Sequence, residues 1–161
     1  MAGSSDWVLL SYKLPREPSN PRVALWRKLR RLGAVQIVDG LVALPADART
    51  REHFDWLADE ILEAGGDSGT WIARAGSLRQ ERLLAARMTE AIVAEYQQII
   101  EMATEAHESD LVAQRRTITR LRREMRRVGA RDFFPPEARE QARWAIDVLA
   151  ELVLETVSTS Q

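Results

Sequence analysis

The sequence predicts an α+β protein: a four-stranded antiparallel sheet with two helices, followed by a region built from helices alone. Three observations carry this. Four short apolar runs, Trp7–Leu14, Ala34–Val38, Leu41–Leu44 and Gly69–Ala75, have strand length and turn residues at their ends. Two stretches between them place apolar side chains at three- and four-residue steps, the spacing of one helix face. From Ser77 onward the strand signals stop and only helical periodicity remains. The order β-α-β-β-α-β within residues 7–76 is the split βαβ, ferredoxin-like pattern. The expected division is therefore a ferredoxin-like domain at 7–76 and a helical region at 77–157 packed on it.

Residues 1–6 are small and polar and are expected to fray. The first strand, Trp7–Leu14, stops at Pro15. Pro15, Pro18 and Ser19–Asn20 make a loop, and Pro21 suits the first position of a helix capped by Ser19 or Asn20. That helix, Pro21–Leu32, puts Leu25, Trp26, Leu29 and Leu32 on one face and ends at Gly33. Asp39–Gly40 between two apolar runs is a hairpin signal. Asp47 or Thr50 can cap the next helix, Arg49–Ala64, which carries Phe54, Leu57, Ile61 and Leu62 inward, with Trp56 near the edge, before Gly65–Gly66 stops it.

The helical region divides at two breaks. Leu78–His107 has a seam of Leu84, Met88, Ile92, Tyr96, Ile99 and Ala103. Ser109–Asp110 is a break or a cap, and Leu111–Val128 repeats the pattern with Leu111, Ile118, Leu121, Met125 and Val128. Gly129 ends it. The RDFFPP turn at 131–136 offers two rings to plug the core. Glu137–Val157 turns Ala138, Ala142, Ala145, Ile146, Leu149, Leu152 and Val153 inward, and the STSQ tail is expected to be loose. Short links between the three helices imply antiparallel packing.

Composition excludes several classes. The chain has 161 residues, a formal net charge of −1 and no cysteine, so disulfides, thiolate metal sites and thiol nucleophiles are absent. No apolar run approaches the roughly 20 residues of a membrane span, and MAGSSD lacks the pattern of a secretory signal. A cytoplasmic location without membrane association is expected. His53 and His107 are the only histidines and neither has ligand spacing to another. There is no Gly-rich nucleotide loop, no phosphate-binding loop and no nucleophile elbow. The end of the first strand holds Ser11–Tyr12–Lys13, which does not suit a metal-dependent nuclease. The sequence thus predicts a non-enzyme with no cofactor and no metal.

Charge distribution says more than the total. Lys13 and Lys28 are the only lysines, so the cations are nearly all arginine, the better fork for phosphate or another oxyanion. Residues 111–131 hold eight arginines, at 115, 116, 120, 122, 123, 126, 127 and 131, against Glu124 alone. On a helix, Arg116, Arg120, Arg123 and Arg127 form one stripe. Such a stripe needs counter-charge. Nucleic-acid phosphates or a small oxyanion would supply it. So would the preceding helix, through Glu81, Glu90, Glu95, Glu101, Glu105, Glu108 and Asp110. A second cluster, Arg22, Arg27, Lys28, Arg30 and Arg31, has no acid nearby in sequence; it is either a solvated face or part of the same contact surface. The third strand, Leu41–Leu44, lacks the rings an RNA-stacking sheet would need.

The stretch WVLLSYKLPREPSNPRVALWRKLRRLGAV resembles the N-terminal domain of the ChrB family, the chromate-resistance regulators. The Trp-led strand, the Y-x-L-P-x-E-P-S loop and the R-V-x-x-W-R-x-L-x-R-L-G-A helix carry the likeness. DGLVALP, FDWLADEI with its Gly-Gly, and RDFFPPEAR extend it in order. The resemblance implies a ferredoxin-like core followed by helices, related in style to the central domain of PaaX-type repressors, and a cytosolic role in chromate-responsive transcription. Family members often carry a further C-terminal domain, so the resemblance implies a separate partner that supplies it; a homodimer is the other partner expectation. On that basis Arg22, Arg27, Lys28, Arg30, Arg31, Arg116, Arg120, Arg123 and Arg127 are the candidate contacts to DNA phosphates or to chromate, a tetrahedral dianion that guanidinium forks suit. The alternative is a structural or dimerisation protein of a chromate-resistance operon, which exposed apolar surface on Leu78–His107 would favour.

Overall fold

The computed structural model describes residues 5–161. The elements run β1 (Trp7–Lys13), α1 (Asn20–Leu32), β2 (Val35–Val38), β3 (Leu41–Pro45), α2 (Ala48–Glu63), β4 (Asp67–Ala73), α3 (Leu78–Glu105), a 3-10 turn (Ala106–Glu108), α4 (Leu111–Gly129) and α5 (Glu137–Thr159). The chain forms two compact units that meet in sequence at Met88–Thr89.

The first unit holds the four-stranded sheet, ordered β2-β3-β1-β4 with every neighbouring pair antiparallel. This is the expected βαββαβ arrangement. β3 and β1 are the two inner strands, and they carry the buried residues Val42, Ala43 and Leu44, and Trp7, Val8 and Leu10. The even residues of β1 set one face: Val8 lies opposite Leu44 and Ile72, and Leu10 opposite Val42 and Thr70. α2 covers that face. The Ser68 hydroxyl donates to the Ala58 carbonyl at 2.8 Å and Thr70 donates to Asp55 at 3.3 Å, while Phe54, Leu57 and Ile61 are buried. On the opposite face Trp7 is buried, and its indole N–H donates to Glu81 at 3.2 Å.

Local chemistry sets the element ends. Asp47 caps α2 by accepting from the Thr50 N–H at 2.7 Å, and Thr50 returns the contact by accepting from the Asp47 N–H at 2.9 Å. The β2–β3 turn requires glycine twice over. Gly40 sits at φ +76°, and a Cβ there would lie 2.6 Å from the Tyr12 carbonyl oxygen. The same approach lets the Tyr12 N–H donate to the Gly40 carbonyl at 2.8 Å.

The second unit is helical. Tyr96, Ala103, Leu121, Ala142 and Leu149 are fully enclosed in one core shared by α3, α4 and α5. Asp110 caps α4 through the Ala113 N–H at 2.8 Å. Gln114, which periodicity does not mark as a core position, is buried; its amide donates to the Ala106 and His107 carbonyls at 3.2 Å each. The Ala106 carbonyl also accepts from the Ser109 N–H at 3.0 Å, so the Gln114 amide ties the 3-10 turn to α4.

Several side chains and ends differ from expectation. Trp26 is 56% exposed, because the buried stripe of α1 is centred on Leu25 and Leu29 and Trp26 stands about 100° round from Leu25. Leu62 is exposed for the same reason, one step past Ile61. Phe133 is half-buried and Phe134 exposed, so the 131–136 turn does not plug the core with both rings. The fraying expected of residues 1–6 concerns residues 1–4, outside the described residues, and Ser5 and Asp6, which are tied down. The Ser5 N–H donates to Glu81 at 2.9 Å and Asp6 pairs with Arg74 at 2.7 Å. The tail expected to be loose is helical to Thr159, with the Ser158, Thr159 and Ser160 hydroxyls donating to carbonyls one turn back.

Candidate functional site

α4 is the most strongly cationic element. Its buried stripe is Gln114, Ile118, Leu121 and Val128. At about 100° per residue, Arg116, Arg120, Arg123 and Arg127 fall together on the side opposite that stripe, and all four are exposed. Arg127 pairs with Glu124 at 3.0 Å within the helix. Among the described residues Arg116, Arg120 and Arg123 form no ion pair. The acidic α3 does not neutralise the stripe. Among the described residues one pair ties α3 to the turn after α4, Glu95 with the half-buried Arg131. The reason is direction: the stripe points away from the core that α4 shares with α3.

The α1 cations do not form one stripe. Lys28 turns to α2 and pairs with Glu60 at 2.6 Å. The Arg30 guanidinium lies over the Trp26 ring, 4.8 Å from its centroid. Arg22 acts on Tyr12: burial raises the Tyr12 phenol above its ordinary value and the Asp39 charge raises it further, while Arg22 pulls it back. Arg27 and Arg31 remain exposed with no ion pair among the described residues.

A second cationic surface lies on the flank of α4, where it meets α5. A cavity of about 420 Å³ opens there. Arg122 and Arg126 line it from α4, Arg139 and Arg143 from α5. Met125 and the buried Ile146 give it apolar wall, Gly129 leaves space at one end, and Asp147 is the one carboxylate in the lining. Arg143 is held by Glu140, its Nη1 at 2.9 and 3.3 Å from the two carboxylate oxygens. None of these four arginines belongs to the stripe that sequence reasoning selects. Stripe counting rewards the most exposed face and ignores the flank. The available signal was a repeated Arg-x-x-x-Arg, at 122/126 and 139/143, on either side of one turn.

Arg139 and Arg143 also act on a buried phenol. The Tyr96 hydroxyl donates to Asp132 Oδ2 at 2.8 Å. Burial, then that hydrogen bond and the Asp132 charge, push the Tyr96 phenol well above its ordinary range; Arg139 and Arg143 oppose the shift. The other oxygen, Asp132 Oδ1, is buried with no partner. Elsewhere, His53 packs edge-on against Trp56 with ring centroids 6.0 Å apart.

The description "Protein ChrB, N-terminal" matches residues 22–156. The chain belongs to the ChrB N-terminal family. It is 31% identical over 155 residues to Protein ChrB of Cupriavidus metallidurans, an alignment covering 89% of this chain and 47% of that protein. The chain thus spans about half the length of the curated relative it matches. No solved structure matches it. The ChrB span starts at Arg22 in α1 and reaches into α5, so the cations of α1, α4 and α5 lie inside it. No helix of the described residues is long and apolar enough to cross a membrane.

Proposed function

We propose that this ChrB-family chain is a regulatory module of chromate resistance that meets DNA through the outer face of α4. The observation that carries the reading is the stripe of Arg116, Arg120, Arg123 and Arg127, exposed, opposite the core and, apart from Arg127, without an acidic partner among the described residues. Like charges one turn apart cost a helix a few tenths of a kcal/mol per pair. A helix that keeps such a row open is suited to an external polyanion, and the row is about 16 Å long at the helical rise. Arg27 and Arg31 on α1 are further candidate contacts; Lys28 and Arg30 are already engaged inside the protein.

The test is fluorescence anisotropy on a labelled duplex from the region upstream of the chain's own gene, between 50 and 200 mM salt. Each phosphate neutralised contributes about 0.9 to the slope of log K against log salt. The triple variant Arg116→Gln/Arg120→Gln/Arg123→Gln should flatten the slope by about 2.7 if each arginine meets one phosphate. Binding absent at 50 mM salt, or a slope the triple variant leaves unchanged, refutes DNA contact by this face.

An interaction protein without its own ligand is the second reading. Leu78 and Leu83, 49% and 56% exposed at the start of α3, favour it. Light scattering showing a dimer that survives the triple variant but not Leu83→Asp would select it.

A further inference from the structure

We infer that the cavity between α4 and α5, where Arg122 and Arg126 face Arg139 and Arg143, binds a small tetrahedral dianion. The inference stands on the cavity alone, so contact of the outer face with DNA can fail without touching it. Four guanidinium groups line one space of about 420 Å³ against a single carboxylate, Asp147. Among the described residues Arg143 alone of the four has an ion-pair partner, Glu140 at 2.9 Å. The arginines come as two one-turn pairs on two different helices. Like charge from two elements is thus concentrated on one concavity rather than spread over a convex face, which strengthens attraction for an anion inside it. Guanidinium forks accept oxyanions two bonds at a time, and a dianion gains about twice the Coulomb energy of chloride at the same distance.

Met125 from α4 and Ile146 from α5 add apolar lining beside the charges. The space exceeds what one inorganic ion fills, so the same dianionic head could arrive free or carried on a small organic group as a phosphate ester. Gly129 provides a charge-neutral probe of the cavity. It lines the wall, and an added Cβ would meet nothing within 4 Å.

Calorimetric titration of the full chain with sodium sulfate, at ionic strength fixed with sodium chloride, tests the site. One saturable sulfate per chain is expected. Arg126→Gln/Arg139→Gln should weaken it at least tenfold, and Gly129→Leu, which keeps every charge, should weaken it as well. Arg116→Gln/Arg120→Gln on the outer face should bind like the parent. Parallel titrations with phosphate, chromate and glucose 6-phosphate identify the source. An ester at least tenfold tighter than phosphate marks an organic ligand, and equal or weaker binding marks the inorganic ion. The inference is overturned by the absence of saturable sulfate binding above the chloride control. It is equally overturned if the outer-face variant loses as much as the cavity variant, or if both cavity variants bind like the parent while retaining the parent's circular dichroism.

Discussion

Replacing Tyr96 by Phe removes one oxygen from the largest fully buried side chain among the described residues. Tyr96 is fully buried, and its hydroxyl is the only donor to the Asp132 carboxylate among the described residues. The ring keeps its packing, so the loss is electrostatic. A hydrogen bond to a charged acceptor is worth about 1.5–3 kcal/mol. For a chain of this size each kcal/mol moves the melting temperature by about 2–4 °C, giving a fall of roughly 3–12 °C at pH 7. The pH dependence adds a sharper signature. Tyr96 holds its proton above the ordinary 10.0 of the unfolded side chain, through burial first and Asp132 second. Above pH 10 the unfolded chain has lost this proton and the folded one has not. Stability is therefore full below pH 10 and declines as pH rises, by up to about 1.4 kcal/mol per pH unit. Tyr96→Phe removes that decline while Tyr12, also raised, contributes equally to both proteins. Circular dichroism melts at pH 7, 9, 10 and 11 should show the gap between parent and variant narrowing above pH 10. Equal melting temperatures at pH 7, or parallel curves to pH 11, would refute the reasoning.

Two further substitutions test the first unit. Gly40→Ala must place a Cβ at φ +76° and 2.6 Å from the Tyr12 carbonyl oxygen; left-handed backbone alone costs about 1–2 kcal/mol, and chemical denaturation should show a loss of at least that size. Asp47→Ala removes one half of the α2 capping box and should cost about 1 kcal/mol, whereas Asp47→Asn, which still accepts from the Thr50 N–H, should cost less.

The sheet was legible because its signals are local. Asp39–Gly40 fixes a turn, alternation fixes a face, and Gly33 ends α1 in the left-handed region at φ 78°. The exposure of Trp26 and Leu62 was not, because each sits one residue beyond a buried neighbour, and hydrophobicity alone cannot separate an edge from a face. Trp26 lies outside the Leu25–Leu29 stripe, with the Arg30 guanidinium over its ring. The cationic surfaces were legible only in part. The outer row of α4 is periodic in one helix and can be counted. The cavity needs α4 and α5 side by side, and Arg126 and Arg139 are separated in sequence by a turn whose geometry depends on Tyr96 holding Asp132. That hydrogen bond spans 36 residues, and no local pattern announces it.

The two cationic faces of α4 do not compete for the same residues, which changes what a basic helix means here. Arg116, Arg120, Arg123 and Arg127 look out from the core, while Arg122 and Arg126 look along it toward α5. One face is convex and open and suits an extended polyanion; the other is concave and partly apolar and suits a compact one. Attraction of either face for an anion weakens as ionic strength rises. Because the faces share a helix but no side chains, substitutions can silence either one alone, and any coupling between them must pass through the position of α4 rather than through a shared arginine.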